Sequence, residues 1–207
     1  MLVVPRLLPL PLLLSATLLA GCQASAEQPK TATEARPAAG DLPLKTPEVC
    51  QRPHLPQQGL KTGTMTIETQ PKPTALKVEL CLTGKQRQIG MMCRTEIAND
   101  EGMLFVFRGN RPRSFWMKNT LIPLDMIFLD PDGRIVGIVE NAEPLTLSSR
   151  RVREPAQYVL EIGGGRAKAL GLEVGQFARV TGLPDGTGSP GIRAPADKAP
   201  APAPSGG

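Results

Sequence analysis

Histidine occurs once in this chain, at His54, and fewer than three metal-ligating side chains cluster anywhere, which speaks against a zinc centre. Aromatic residues make up only 3% of the 207 residues. Two basic loops, Arg108, Arg111, Arg113 and Arg150, Arg151, Arg153, carry no interleaved aromatics, so a nucleic-acid partner is not expected; anionic lipid or polysaccharide stays open. Gly163-Gly164-Gly165 has the spacing of neither a P-loop nor a dinucleotide fingerprint and reads as a strand-to-helix turn. No nucleophile stands with a base in any recognisable arrangement. The apolar run Leu7 to Leu14 is too short, and too interrupted by proline, to span a bilayer stably.

That run nevertheless has a reading. Arg6, the apolar stretch and Leu19-Ala20-Gly21-Cys22 together have the form of a bacterial lipoprotein signal, with small residues where a signal peptidase must reach the chain. Cleavage before Cys22 leaves that cysteine as the lipidated N-terminus. Several acyl chains at about 0.8 kcal/mol per buried methylene give lasting attachment, whereas one chain is marginal. An ordinary secretory signal and an uncleaved anchor are the alternatives. Gln23 follows where an aspartate favours inner-membrane retention, so analogy with sorted lipoproteins implies export to the outer membrane, facing the periplasm, in a two-membraned cell.

Residues 23–59 are rich in Ala, Pro, Thr and Gln and lack the apolar side chains to offset ordering entropy, so a disordered tether is expected there. Residues 183–207, closing on Ala199-Pro200-Ala201-Pro202-Ala203-Pro204, read as a second disordered, Pro/Ala/Gly-rich spacer. Between them, residues 60–182 show period-two alternation broken by turn residues, which predicts one mainly β domain, a compact sandwich or barrel with one or two short helices. Strands are expected at Met65 to Thr69, at Leu76 to Leu82 with Leu76, Val78, Leu80 and Leu82 inward, and at Met103 to Phe107, apolar on both faces. Ser114 to Asn119, Leu124 to Leu129, Arg134 to Val139, Tyr158 to Ile162 and Phe177 to Val180 complete the set. Asp130-Pro131-Asp132-Gly133 places proline and glycine where a hairpin turn needs them. Thr83-x-x-Gln86 has capping-box spacing and predicts a helix running to about Arg94; Arg166 to Leu170 reads as a second.

Gly90-Met91-Met92-Cys93-Arg94, Gly102 to Phe107, Phe115-Trp116-Met117-Lys118-Asn119-Thr120, Pro123-Leu124-Asp125-Met126-Ile127-Phe128 and Tyr158-Val159-Leu160-Glu161-Ile162 together resemble the DUF192 family. The resemblance runs from about Leu60 to Val180. It implies a compact, mainly β domain, often exported, and leaves activity open. This sequence departs from the family pattern at Cys93, where an aromatic or other large residue is usual, and at Cys81, where a small one is usual. With Cys22 lipidated, Cys50, Cys81 and Cys93 leave one thiol over after one bridge. Cys81 ends a strand and Cys93 the helix returning from it, within bridging reach of about 4.4–6.8 Å. Cys81–Cys93 is the expected bridge, with Cys50 to either one as the alternatives.

The alternation around Asp125 sets a carboxylate among apolar neighbours, where it needs a partner. Arg94, Arg113 and Lys118 are the candidate cations and Asn119 a candidate donor, with Arg94 preferred for its bidentate geometry. A satisfied ion pair, a ligand contact and a catalytic acid are the three readings. Trp116, the only tryptophan, is either core or a stacking platform; alternation sends it and Lys118 away from Phe115 and Met117. Met91, Met92, Met103, Met117 and Met126, with Trp116 and Cys93, would suit Cu(I), or simply fill the core. The expected function is a lipid-anchored ligand-binding or accessory domain of the cell envelope. It needs no cofactor or metal, and its candidate pocket of Arg94, Trp116, Lys118, Asn119 and Asp125 would take an envelope glycan or small polar ligand. An enzyme using Asp125 on an envelope polymer, with Glu101, Glu140 or Glu161 as second acid, and a Cu(I)-handling protein are the alternatives.

Overall fold

A computed structural model describes residues 46–187 and Ile192. The signal at 1–22 with Cys22, residues 23–45 of the tether, and residues 188–207 of the tail except Ile192 lie outside the described residues. A 3-10 turn at Glu48–Gln51 is followed by β1 (Thr62–Ile67), β2 (Thr74–Cys81), α1 (Gly84–Ile89), β3 (Glu101–Arg111) and β4 (Leu124–Leu129). Next come β5 (Ile135–Ala142), β6 (Ala156–Gly163), α2 (Arg166–Ala169) and β7 (Ala178–Thr181). The strands form one sheet in the order β5-β4-β6-β3-β2-β1-β7, antiparallel except where β2 runs parallel to β3. The mainly β expectation holds, carried by one curled sheet in place of two stacked ones. Its edges touch at one end, where Ile135 donates to Gln176 O and Gly175 to Ile135 O, each at 2.8 Å.

Strands β3, β4 and β6 sit mid-sheet, so both of their faces are covered and their sequences are apolar at successive positions. One face packs Leu76, Val78, Leu80, Leu104, Tyr158 and Leu160 into the larger core. The other carries Met91, Met103, Phe105, Met117, Met126 and Phe128. The methionine-rich side is therefore a real packing layer, filled by unbranched, adaptable side chains.

Local chemistry explains the connections. Asp130 Oδ1 accepts from the amides of Asp132 and Arg134, both at 2.9 Å, and closes the β4–β5 hairpin where the sequence places it. Thr83 and Gln86 form the expected capping box, side chain to amide in both directions, at 3.2 and 2.8 Å. The helix stops at Ile89, earlier than Arg94, because Gly90 turns the backbone to φ +51°, and a Cβ there would stand 3.0 Å from Phe105 Cζ. Residues 114–119 form no strand of the sheet. Phe115 pairs only with Arg150, and the amides of Met117 and Thr120 turn to Thr146 O and Met117 O.

The disulfide joins Cys50 to Cys93 and leaves Cys81 free and buried, which corrects the expected Cys81–Cys93 pair. Cys81 lies in the methionine-rich core, 3.5 Å from Gln86 O. Cys93 stands at φ +65° in the turn after α1, with its amide bonded to Asn119 O, and there it meets the segment leading into β1. That segment is not all free tether. Within it the side chain of Gln57 is buried against α1 and donates to Gly90 O at 2.9 Å and Gln86 O at 3.1 Å.

Candidate functional site

Asp125 is wholly buried, and its partners are backbone amides. Oδ1 accepts from Asn141 at 2.8 Å and Gly165 at 3.0 Å, and Oδ2 accepts from Ala167 at 2.7 Å. The carboxylate thus joins β4 to the far end of β5 and to the first turn of α2. The expected Arg94–Asp125 pair does not form. Arg94 Nη2 instead reaches Glu79 at 2.5 Å and Gln57 O at 3.3 Å, because the turn after α1 carries it to the β2 side of the sheet. Asn119 takes φ +56° and directs Nδ2 to Met92 Sδ at 3.8 Å. Of the five candidate residues, the structure brings together Trp116 and Lys118, with Lys118 Nζ 5.3 Å from the indole centroid.

Trp116 is 49% exposed, and with Leu147 it borders a groove of about 550 Å³ that also includes Phe107, Phe115, Arg87 and Arg113. Phe115, inward of Trp116, meets Phe105, Phe107 and Phe128 edge to face at 5.1–6.2 Å, which fixes the segment that presents the indole. The two guanidiniums stack on Phe107, 5.0 and 4.2 Å from its centroid. Arg87 donates to Leu82 O and Val106 O, both at 2.8 Å, and Arg113 to Ala156 O at 3.0 Å and Gly109 O at 2.6 Å. Among the described residues neither has a carboxylate partner. Burial holds both guanidiniums below their usual pKa; Arg108 adds repulsion at Arg87, and Arg111 and Arg87 add it at Arg113. An anion in the groove would relieve that repulsion.

A cavity of about 30 Å³ shares Arg87, Phe115 and Trp116 with the groove, and Glu161 of β6 lines it as well. Register sets Glu161 between Met103 of β3 and Met126 of β4, on the methionine-rich face. It is 4% exposed, and no hydrogen bond or ion pair engages its carboxyl among the described residues. Burial pushes its pKa up to about 8. Burial first, then the nearby Glu161, pushes the Cys81 thiol up to about 12. Cys93, counted with the methionines for Cu(I), is in the disulfide and has no thiol to offer. No group of three His, Cys, Asp or Glu side chains forms a metal cluster among the described residues.

Arg87 was hidden in the sequence as an ordinary helix-surface residue, and Glu161 entered only as a distant second acid. The available signal for Glu161 was an acid inside Tyr158-Val159-Leu160-Glu161-Ile162, a strand apolar on both faces.

The DUF192 family model, described as an uncharacterized ACR, matches residues 65–180, more than half of the chain. The chain belongs to the DUF192 family. Two crystal structures resemble it in fold, each with a TM-score of 0.58. One, from Sinorhizobium meliloti 1021 and provisionally labelled a transcription regulator, is 40% identical and covers 61% of this chain and 99% of its own. The other, a protein of unknown function from Novosphingobium aromaticivorans, is 35% identical over 60% of this chain and 89% of its own. No curated protein matches. The DUF192 match includes Trp116, Lys118, Arg87, Arg113 and Glu161, so the groove and its cavity belong to the family domain.

Proposed function

We propose that this DUF192 domain is a non-enzymatic ligand-binding module of the cell envelope, held to a membrane through lipidated Cys22. Its ligand is a small anion carrying a ring, as an acidic envelope sugar does. The observation that supports this most is the half-exposed Trp116 beside two guanidiniums without a carboxylate partner. A ring would stack on the indole while its carboxylate or phosphate bridges Arg87 and Arg113. The enzymatic alternative is disfavoured, because both Asp125 oxygens are held by backbone amides inside the protein.

Calorimetry with glucuronate and N-acetylmuramate, against neutral N-acetylglucosamine, tests the reading. Binding of the acidic sugars alone, weakened about tenfold or more by Arg87→Ala or Arg113→Ala, supports it. Equal binding of neutral and acidic sugars, or none, refutes it. For the anchor, Cys22→Ala is expected to move the protein from the membrane fraction to the soluble one; unchanged membrane association would remove the lipid attachment.

A further inference from the structure

A carboxyl group that is nearly fully buried, has no hydrogen-bond partner and borders a cavity is costly unless something completes it. Glu161 meets all three conditions. The cavity, about 30 Å³, exceeds the roughly 10–15 Å³ that one water needs, so a single ligand oxygen has room there. Its walls include Met91, Met92 and Phe105, which offer neither a strong acceptor nor a charge. Its cations are Arg87, which it shares with the groove, and Lys118. An ammonium group would meet both of them, whereas an oxygen acceptor is drawn in.

We propose that Glu161 is a hydrogen-bond donor of the ligand site, its acid proton held for a carboxylate or carbonyl oxygen that reaches in from the Trp116 groove. The inference rests on the ligand-binding reading of that groove and adds the group that selects the ligand's inner end. The neutral acid donates an O–H; the ionised form would present two acceptors to another acceptor and repel it. Gln88 and Thr120 also line the cavity, the Thr120 hydroxyl donating to Lys118 O at 3.4 Å, and Glu161 is the one acid in its wall. From β2, Glu79 is engaged by Arg94 and the Cys81 thiol is protonated; from β3, Met103 and Phe105 are apolar and Glu101 is paired with Lys77 at 3.1 Å. From β4, Met126 is apolar, and Asp125 belongs to the opposite face by alternation. Arg87 and Lys118 are the facing cations. Because burial holds Glu161 protonated to about pH 8, the donor is present at neutral pH.

Glucuronate affinity is expected to be flat in mild acid and to fall about tenfold or more as pH rises past about 8. Glu161→Gln keeps a donor, so it should retain binding and lose the pH dependence. Glu161→Ala should bind about tenfold more weakly with a flat profile. If wild type and Glu161→Ala bind glucuronate alike at every pH, the role of Glu161 is overturned while the groove reading stands. If glucuronate does not bind, the groove reading fails, and saturating formate tests Glu161 alone. A rise in the carbon-13 titration midpoint of the Glu161 carboxyl with formate supports the donor role; an unmoved midpoint overturns it.

Discussion

Asp125→Asn is the substitution whose effect follows most directly from the geometry. The asparagine keeps the shape and one oxygen, so Oδ1 can still accept from the Asn141 and Gly165 amides. The other position becomes an NH₂ group facing the Ala167 N–H across 2.7 Å, donor against donor, in a wholly buried place. Losing one hydrogen bond to a charged acceptor costs about 1.5–3 kcal/mol, and the two that survive weaken when the charge goes. A total near 2–4 kcal/mol is expected. At roughly 3–4 °C per kcal/mol for a domain of this size, that lowers Tm by about 6–16 °C. Arg94→Met should cost its own amount through Glu79 and Gln57, since it shares no partner with Asp125. The double variant should therefore be additive within about 0.5 kcal/mol. Thermal melts and urea titrations of the three variants decide it. A loss below about 1 kcal/mol for Asp125→Asn, or a double variant more stable than the sum by over about 1 kcal/mol, would refute the backbone-capping account.

Glu161 makes the stability of the fold depend on pH. Its native pKa of about 8 lies above the ordinary carboxyl value of 4.5, so the unfolded chain releases this proton first and stability declines as pH rises between those values. Melts across that range should show a slope that Glu161→Gln removes; an unchanged slope would contradict the buried, protonated acid. Cys50→Ser should destabilise by about 4 kcal/mol or less, the chain-entropy limit for a closure of 43 residues, and a neutral effect in urea titrations would deny the bridge. Cys81, buried with its thiol pKa pushed up to about 12, should resist thiol reagents until the protein unfolds. Labelling at the rate of an exposed thiol in the native protein would refute that placement.

What the sequence made legible follows from the range of the interactions involved. The β4–β5 turn depends on Asp130 to Arg134 and the α1 cap on Thr83 and Gln86, so both are readable from neighbours a few residues apart. For Trp116 the sequence leaves core and platform both open; Phe115 and Met117 pack inward, and alternation then turns Trp116 and Lys118 outward even though residues 114–119 form no strand of the sheet. Partners were the weak point. The sequence sets Asp125 among apolar neighbours and so points to a cation, but no local pattern shows that the amides of Asn141, Gly165 and Ala167 converge on it from elsewhere in the chain. Composition averages over residues 23–59 and so points to a disordered tether, whereas Cys50 and Gln57 within that stretch dock on the domain. Arg87 and Arg113 come from α1 and from a loop 26 positions further on, and the pairing of β2 beside β3 brings α1 to Phe107.

The Cys50–Cys93 bridge also decides how the domain bears load. A pull on the residues before Cys50 arrives at the bridge and passes through sulfur to the turn before Arg94. The closed loop between them contains β1, β2 and α1, so tension from that side cannot unzip β1 from β2 and β7 one hydrogen bond at a time. Reduction reopens the peeling route. A chain fixed at one end to a moving surface would then come apart from its first strand, while the oxidised chain must yield as a block.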